Sequence, residues 1–266
     1  TATMKIRIAT YNIHKGVTAI GNRPRIHALK LGISSLSADI IFLQEVQGRH
    51  DFFALRHAAK WPQQSQHEFL ASDVQHSAYG MNAVYDHGHH GNALLSNFPI
   101  VSSHNHDVSD HQFESRGILH CIVRIQEKDV HCYVVHLGLF AGSRLRQIEA
   151  LIQAVTHTTE SDSPIIIAGD FNDWTNALST SLRKKLGVTE VFDEVLPSRS
   201  FGSYLRRLSG RGPRKSPART FPAAMPVLKL DRIYVRGLKI EHAQVLHGAS
   251  WARLSDHAPL VADLKM

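Results

Sequence analysis

Short apolar runs that stop abruptly at polar residues recur along this chain, and between them apolar side chains return every three or four positions. The first run, KIRIATYN, alternates apolar and polar residues and predicts a strand over 6–12 ending at Asn12. Pro24 then suits the opening of a helix through about Leu36, with Ile26, Leu29, Ile33 and Leu36 on one face. DIIFLQEV, 39–46, is a buried strand whose apolar part ends at Gln44 and Glu45. A short helix is expected over 52–60, stopped by Pro62, and from there to Tyr85 the pattern is weak. GNALLSNFPI, 91–100, gives a strand and a turn, with another strand over 101–108.

The runs 116–125 and 130–137 flank the polar QEKD turn and predict an antiparallel hairpin. Over 144–158, Leu145, Ile148, Leu151, Ile152 and Val155 stand at helical spacing and should pack on a sheet face. PIIIAGDFNDW follows: Ile165 to Ala168 suit a strand buried on both faces, and Gly169 allows a sharp turn before Asp170, Asn172 and Asp173. A rigid strand that ends in a carboxylate and a carboxamide offers hard oxygen ligands for a magnesium-type ion or a held water. A helix over 176–186 and strands over 228–235, 238–246 and 258–264 complete the chain. Many strands in hairpin order with few interleaved helices predict two packed, mainly antiparallel sheets with helices outside them, in one domain spanning 4–266. Thr1, Ala2 and Thr3 precede the first methionine and are expected to be a cloning remnant.

The 266 residues, 43% hydrophobic and 20% charged, have the composition of a globular α/β protein. No stretch approaches the roughly 20 apolar residues of a membrane span, and no secretory signal is evident, so the cytoplasm is the expected compartment. Cys121 and Cys132 fall in the two strands of the predicted hairpin and are expected as reduced core thiols. The net charge of +7 favours anionic or phosphorylated partners. Part of it lies in LRRLSGRGPRKSPART, 205–220, which Gly and Pro mark as an exposed basic loop. DHGHHG, 86–91, lacks zinc-type spacing and cysteines and is expected to be a solvated loop near the site mouth. GNRPR, 21–25, lacks the Gly-Lys-Ser/Thr of a phosphate-binding loop.

Strand ends carry the candidate chemistry: Asn12, Glu45, His136, Asp170 with Asn172, Asp231, and Asp256 with His257. Each alone has an ordinary structural explanation. Together, in the contexts TYN, LQEV, VVHLGL, GDFND, LDRIYV and LSDHAPL, they resemble the endonuclease/exonuclease/phosphatase superfamily over nearly the whole length. ATYNIHKG, GNALLSNFPI and the R-x-x-Q of Arg144 and Gln147 look closest to its small bacterial members.

The resemblance implies a DNase I-like four-layered α/β-sandwich that hydrolyses phosphoesters with Mg²⁺, or Mn²⁺. It implies Glu45 as the main metal carboxylate, with Asn12 and Asp256 near the ion. Asp170 and Asn172 would orient or deprotonate water, while His257, held protonated by Asp231, would stabilise phosphoryl oxygens. His136 matches a second histidine of the DNase I and sphingomyelinase branches, and VVHLGL departs from the abasic-site nuclease branch. Arg116, Asn92 and Arg144 are secondary candidates for substrate phosphate, and Gln147 is a further one. The substrate implied is nucleic acid cut with low sequence specificity, or a phospholipid, inositol phosphate or other small phosphoester. No obligate protein partner is implied. A catalytically silent binding module of the same fold is the alternative from another class; such modules usually lose a ligand or a histidine that this chain keeps.

Overall fold

The computed structural model describes residues 3–18, 23–72, 75–109, 115–194 and 218–266. In chain order its elements are β1 (Lys5–Asn12), α1 (Ile26–Ser35), β2 (Ile40–His50), α2 (Asp51–Arg56), α3 (Gln66–Leu70), β3 (His76–Tyr85), β4 (Gly88–Ser96) and β5 (Ile100–Asp107). There follow β6 (Gly117–Ile125), β7 (Lys128–His136), α4 (Ala141–Thr158), β8 (Ile165–Asp170), α5 (Ser179–Leu186), β9 (Thr189–Glu190) and α6 (Val191–Glu194). β10 (Asp231–Arg236), β11 (Lys239–Val245), α7 (Ala249–Ala252) and β12 (Leu260–Lys265) end the chain. The described residues form two six-stranded sheets, ordered β11-β12-β1-β2-β4-β3 and β5-β6-β7-β8-β10-β9.

Alternation along the strands explains the layering. Inward residues of both sheets, among them Ile8, Phe42, Leu94, Cys121, Cys132, Ile166 and Leu260, share one core between the sheets. The opposite face of the first sheet packs on α1 through Leu29 and Ile33, and that of the second on α4 and α5 through Ile148, Leu151 and Leu182. The result is the four-layered α/β-sandwich. Cys121 and Cys132 are direct cross-strand partners in the inter-sheet core and are free thiols.

Each sheet is mixed, because each holds one parallel pair: β1 with β2, crossing through α1, and β7 with β8, crossing through α4. A helical crossover returns the chain in the same direction, so both strands of a pair finish at one edge. Asn12 is thereby level with Gln44, and His136 with Asp170.

Several expectations shift. Leu145 does not pack on the sheet; it is 61% exposed, while Arg144, Gln147, Ile148, Leu151, Ile152 and Val155 form the buried face of α4. At 3.6 residues per turn it lies roughly a quarter-turn from the centre of that face. α2 ends at Arg56, before the expected stop, because Trp61 folds back to pack on Phe53, ring centres 5.0 Å apart. The weak region up to Tyr85 contains α3 and β3. Gly80 and a register shift between Met81 and Ala83 interrupt the alternation that would have revealed β3. β10 begins at Asp231, three residues later than expected, since Leu228 instead bridges Phe221. Of the 86–91 segment, only Asp86 and His87 form the exposed turn expected of a solvated loop. Gly88, His89 and His90 pair with β2 as the start of β4, and His90 is half-buried. Most of the basic stretch 205–220, and the first two residues of GNRPR, lie outside the described residues.

Candidate active site

The two parallel edges meet over Asp170. Its Oδ2 lies 3.2 Å from Asn12 Nδ2, 3.6 Å from His136 Nε2 and 3.7 Å from His257 Nε2, and its Oδ1 accepts the Asn172 backbone N–H at 2.9 Å. The same Asn12 Nδ2 donates to Glu45 Oε1 at 3.3 Å, so one amide joins both carboxylates. Asn12 Oδ1 accepts the His14 N–H at 3.1 Å, which fixes the amide with its NH₂ toward the acids.

Local backbone devices aim these groups. Leu43 pairs with Ala93 and Val46 with Gly91, leaving Gln44 and Glu45 opposite Asn92 alone: a β-bulge. Glu45 takes φ +54° there and swings past the end of β1. Asn172, with φ +49°, turns the chain after β8 and donates Nδ2–H to Leu137 O at 2.8 Å, tying that turn to the loop after β7. Gly169 has φ +153°, and a Cβ there would lie 1.8 Å from Val135 O. Only glycine lets β8 approach β7 so closely beside the reacting groups.

Asp231 stands directly opposite Asp170 across β10 and β8, an unfavourable pairing of like charges. His257 resolves it, with Nδ1 2.9 Å from Asp231 Oδ2 and Nε2 facing Asp170. Burial alone would lower the His257 pKa, but Asp231, Asp170 and Asp256 override it and hold the imidazole at about 10. Burial lifts the Asp170 carboxyl to about 6, with Asp231 adding to the rise and His257 opposing it. Thr220 Oγ1 donates to the shared Asp231 oxygen at 2.5 Å. His136 is pushed well below its usual range by burial, then by Arg116, His257, His90 and Lys15, and is neutral.

The remaining sequence-derived residues gather nearby in different roles. Burial would raise the Asp256 pKa, but the hydrogen bond from His14, 3.3 Å away, and the nearby His257 lower it. Ser255 Oγ donates to Asn12 O at 2.7 Å, securing the Asp256 segment to β1. Asn92 is fully buried; its amide spans the sheets to Gly117 O at 2.9 Å and Val134 O at 3.3 Å. Arg116 donates Nε–H to Leu137 O at 3.3 Å while its charge reaches His136. Arg144 donates to Leu139 O and stacks on Trp174 at 4.9 Å; Gln147 accepts the Gly138 N–H at 2.7 Å. Both clamp the loop after β7. Asp173 caps its own turn, accepting from the Ala177 and Leu178 N–H groups.

Sequence reasoning missed His14, Lys15 and His90. His14 and Lys15 occupy a left-handed turn, φ +46° and +57°, directly after β1. Gln66, buried in α3, holds that turn through Lys15 O at 2.9 Å. Burial and Lys15 drive His90 down to about 4, and among the described residues its Nδ1 is buried without a hydrogen-bond partner. The signal was present in NIHKG, but nothing in the residue pattern shows which way a left-handed turn points.

For a divalent ion, two placements compete. Asp170, Asp231 and His257 hold donor atoms within 4.8 Å of one another. His257 is protonated and already bonded to Asp231, and an imidazolium offers no lone pair. Glu45 fits better: among the described residues its half-buried carboxylate receives one hydrogen bond, and a hard carboxylate with free lone pairs is the ligand that Mg²⁺-type ions take with waters.

This fold and this convergence of acid, amide and imidazole define a phosphoester-cleaving class, and the chain belongs to the Endonuclease/Exonuclease/phosphatase family, whose model matches residues 9–257. It is 39% identical over 269 residues to the uncharacterized protein YbhP of Escherichia coli strain K12, covering 100% of this chain and 98% of that protein. Among solved structures it is similar to the endonuclease/exonuclease/phosphatase from Bacteroides vulgatus, with TM-score 0.69, 17% identity and 98% of each chain covered. It is also similar to D. rerio TDP2 complexed with single strand DNA product, with TM-score 0.65, 16% identity, 98% of this chain and 99% of that chain. At these identities the structural matches speak for the fold alone.

Proposed function

We propose that this protein, as one domain over 4–266, is a Mg²⁺-dependent phosphodiesterase with nuclease-like activity of low sequence specificity. The observation that carries the reading is the single Asn12 amide bridging Glu45 and Asp170 while His257 faces the same Asp170 oxygen. Family membership supports a hydrolase of phosphoester bonds. The proposed setting is the cytoplasm; no helix among the described residues is long and apolar enough to cross a membrane.

Glu45 would hold the ion, with Asn12 orienting its carboxylate and Asp256 lending charge from behind His14. When bound, Mg²⁺ supplies Lewis-acid stabilisation of phosphoryl charge. Asp170, made more basic by burial, accepts the proton of the attacking water, and Asn172 fixes the Asp170 carboxylate through its N–H. Protonated His257 donates to a non-bridging phosphoryl oxygen, while Asp231 keeps it charged. Neutral His136 hydrogen-bonds the phosphate or the leaving oxygen. Arg116 and Lys15 line the side from which an anionic diester enters. Asn92 and Arg144 act beneath the surface, by holding the backbone on which His136 and Asn172 depend.

A phospholipid or small-molecule phosphoester is the second reading, favoured by exposed Leu139, Phe140 and Trp174 on the loops that follow β7 and β8. A silent binding module does not explain why an amide, two acids and a charged imidazole are all retained in contact. The test is a Mg²⁺- and Mn²⁺-supplemented screen of plasmid DNA, single-stranded DNA, RNA, phosphoinositides, sphingomyelin and nucleotide phosphates, with wild type beside Asp170→Asn. Hydrolysis of any phosphodiester that Asp170→Asn abolishes supports the proposal; equal rates in both proteins end it.

A further inference from the structure

The outer face of the second sheet is apolar over β7 and β8, where Tyr133, Val135, Ile165 and Ile167 meet α4. Toward the largely exposed edge strand β5 the same face carries imidazoles instead. His104 and His106 are two apart on β5, and register sets His104 opposite His120 on β6, so all three side chains share one face. The ring centres of His104 and His106 are 4.5 Å apart, and those of His106 and His120 6.4 Å. Imidazoles on one tetrahedral ion, with metal–nitrogen bonds of ~2.0–2.1 Å, have ring centres roughly 5 Å apart. Two of the three pairs thus lie on either side of that value.

Two further observations point to a ligand. Among the described residues, His106 Nε2 is buried with no hydrogen-bond partner, a costly state unless something binds it. His120 Nε2 lies 3.0 Å from His131 Nδ1, which is 3.2 Å from Thr159 Oγ1. With Nε2–H donating, His120 keeps an unprotonated Nδ1 and gains the outer hydrogen bond that metal-binding imidazoles generally make. Mutual pairing explains His120 and His131, but it leaves His104 and His106 without a purpose.

We propose that His104, His106 and His120 form a binding site for a divalent transition ion of the zinc type, with His131 as the outer partner that orients His120. An all-imidazole donor set selects zinc-type ions over the hard Mg²⁺. The nitrogens stand farther apart than the 4.8 Å that encloses the Asp170 group. His104, exposed on an edge strand, has the rotamer freedom to close the set. His131 and His136 are five positions apart on β7 and so face opposite sides of the sheet. The ion would therefore staple β5 to β6 away from the reacting groups.

The test titrates the full chain with Zn²⁺ and Co²⁺ in excess Mg²⁺, read by equilibrium dialysis, Co²⁺ visible absorption and thermal melting. Wild type and Glu45→Ala should bind the ion alike, show a tetrahedral Co²⁺ spectrum and melt higher with Zn²⁺. His104→Ala, at an exposed position that leaves the fold intact, should bind at least ~10-fold more weakly. His104→Ala/His106→Ala should not bind at all. Mg²⁺-dependent hydrolysis should be unchanged in His104→Ala. Equal Zn²⁺ affinity in wild type and both histidine variants overturns the proposal, as does loss of the ion in Glu45→Ala alone.

Discussion

Replacing Asp231 by Asn isolates what the charge of its carboxylate does. Asn keeps an oxygen to accept from His257 Nδ1 and Thr220 Oγ1, so the geometry survives while the charge goes. In the native protein Asp231 is the largest of the influences that raise the His257 pKa, which stands at about 10. Without that charge, burial pulls down while Asp170 still pulls up, and the imidazole returns toward its ordinary ~6.5. At about pH 8 the protonated fraction then falls from ~99% to ~3%, a ~30-fold loss of the competent form. At about pH 6 the same shift costs less than ~1.5-fold. The ratio of wild-type to variant kcat/KM on a generic diester should therefore climb steeply with pH, and ¹³C-labelled histidine titrations should show the moved pKa. A ratio that stays flat from about pH 6 to 9, or an unmoved His257 titration, refutes the account. Stability follows the same sign. A folded pKa above the unfolded one gives stabilisation that is complete below ~6.5 and lost as pH rises through about 10. Wild-type stability should fall over that window, and Asp231→Asn should show a flatter profile.

Gly169→Ala forces a Cβ against Val135 O at a positive φ, so it should cost more than ~1 kcal/mol in chemical denaturation and misplace Asp170, with activity lost even where protein folds. Glu45→Gln should abolish rescue of chelator-treated enzyme by Mg²⁺ while leaving the melting temperature of the metal-free protein nearly unchanged, as read by calorimetry and a discontinuous assay. Arg144→Ala frees the loop after β7 and should lower kcat through Asn172 and His136, with ~1–3 kcal/mol of stability lost to unpaired carbonyls. Burial pushes the Cys121 thiol up to about 12, and burial with the neighbouring Cys121 raises Cys132 well above its usual range, so a disulfide-exchange reagent should label neither in native protein and both after unfolding.

The strand ends were legible because a buried apolar run that breaks at an acid or amide is a one-dimensional signal. Asn12, His136, Asp170 and Asp231 stand at strand ends, where that signal put them; Glu45 instead sits in a bulge within β2, which runs on to His50, and Asn172 and His257 lie in the loops after β8 and before β12. Direction was not legible. Asp173 shares the GDFND segment with Asp170, yet it turns back to cap residues 177 and 178, because Asn172 at positive φ reverses the chain between them. Asn12 resembles an oxygen ligand, yet its oxygen is taken by His14 N–H and it presents a donor. Leu145 belonged to the helical pattern and missed the buried face by a fraction of a turn. β3 stayed hidden because its glycine and register shift erase the alternation that exposes a strand.

One topological fact accounts for where the chemistry collects. Each sheet has a single parallel pair, and a parallel pair joined by a helix must end both strands on the same side. In the first sheet that edge delivers Asn12 and, through the bulge, Glu45; in the second it delivers His136 and Asp170. Packing the sheets face to face brings the two edges together, and the 3.2 Å contact from Asn12 to Asp170 is the seam. β10 then lies antiparallel beside β8, so Asp231 begins its strand where Asp170 ends its own. Two carboxylates meeting there would repel, and the arrangement persists because His257 brings a positive charge between them. A dianionic pocket floored by an imidazolium, with Glu45 at its rim and Lys15 and Arg116 nearby, has charge of both signs in place for a phosphodiester, a cation and a water. Neutralising any one of these charges should unbalance the rest, which is why Asp231, a residue that need never touch substrate, is expected to control the pH profile.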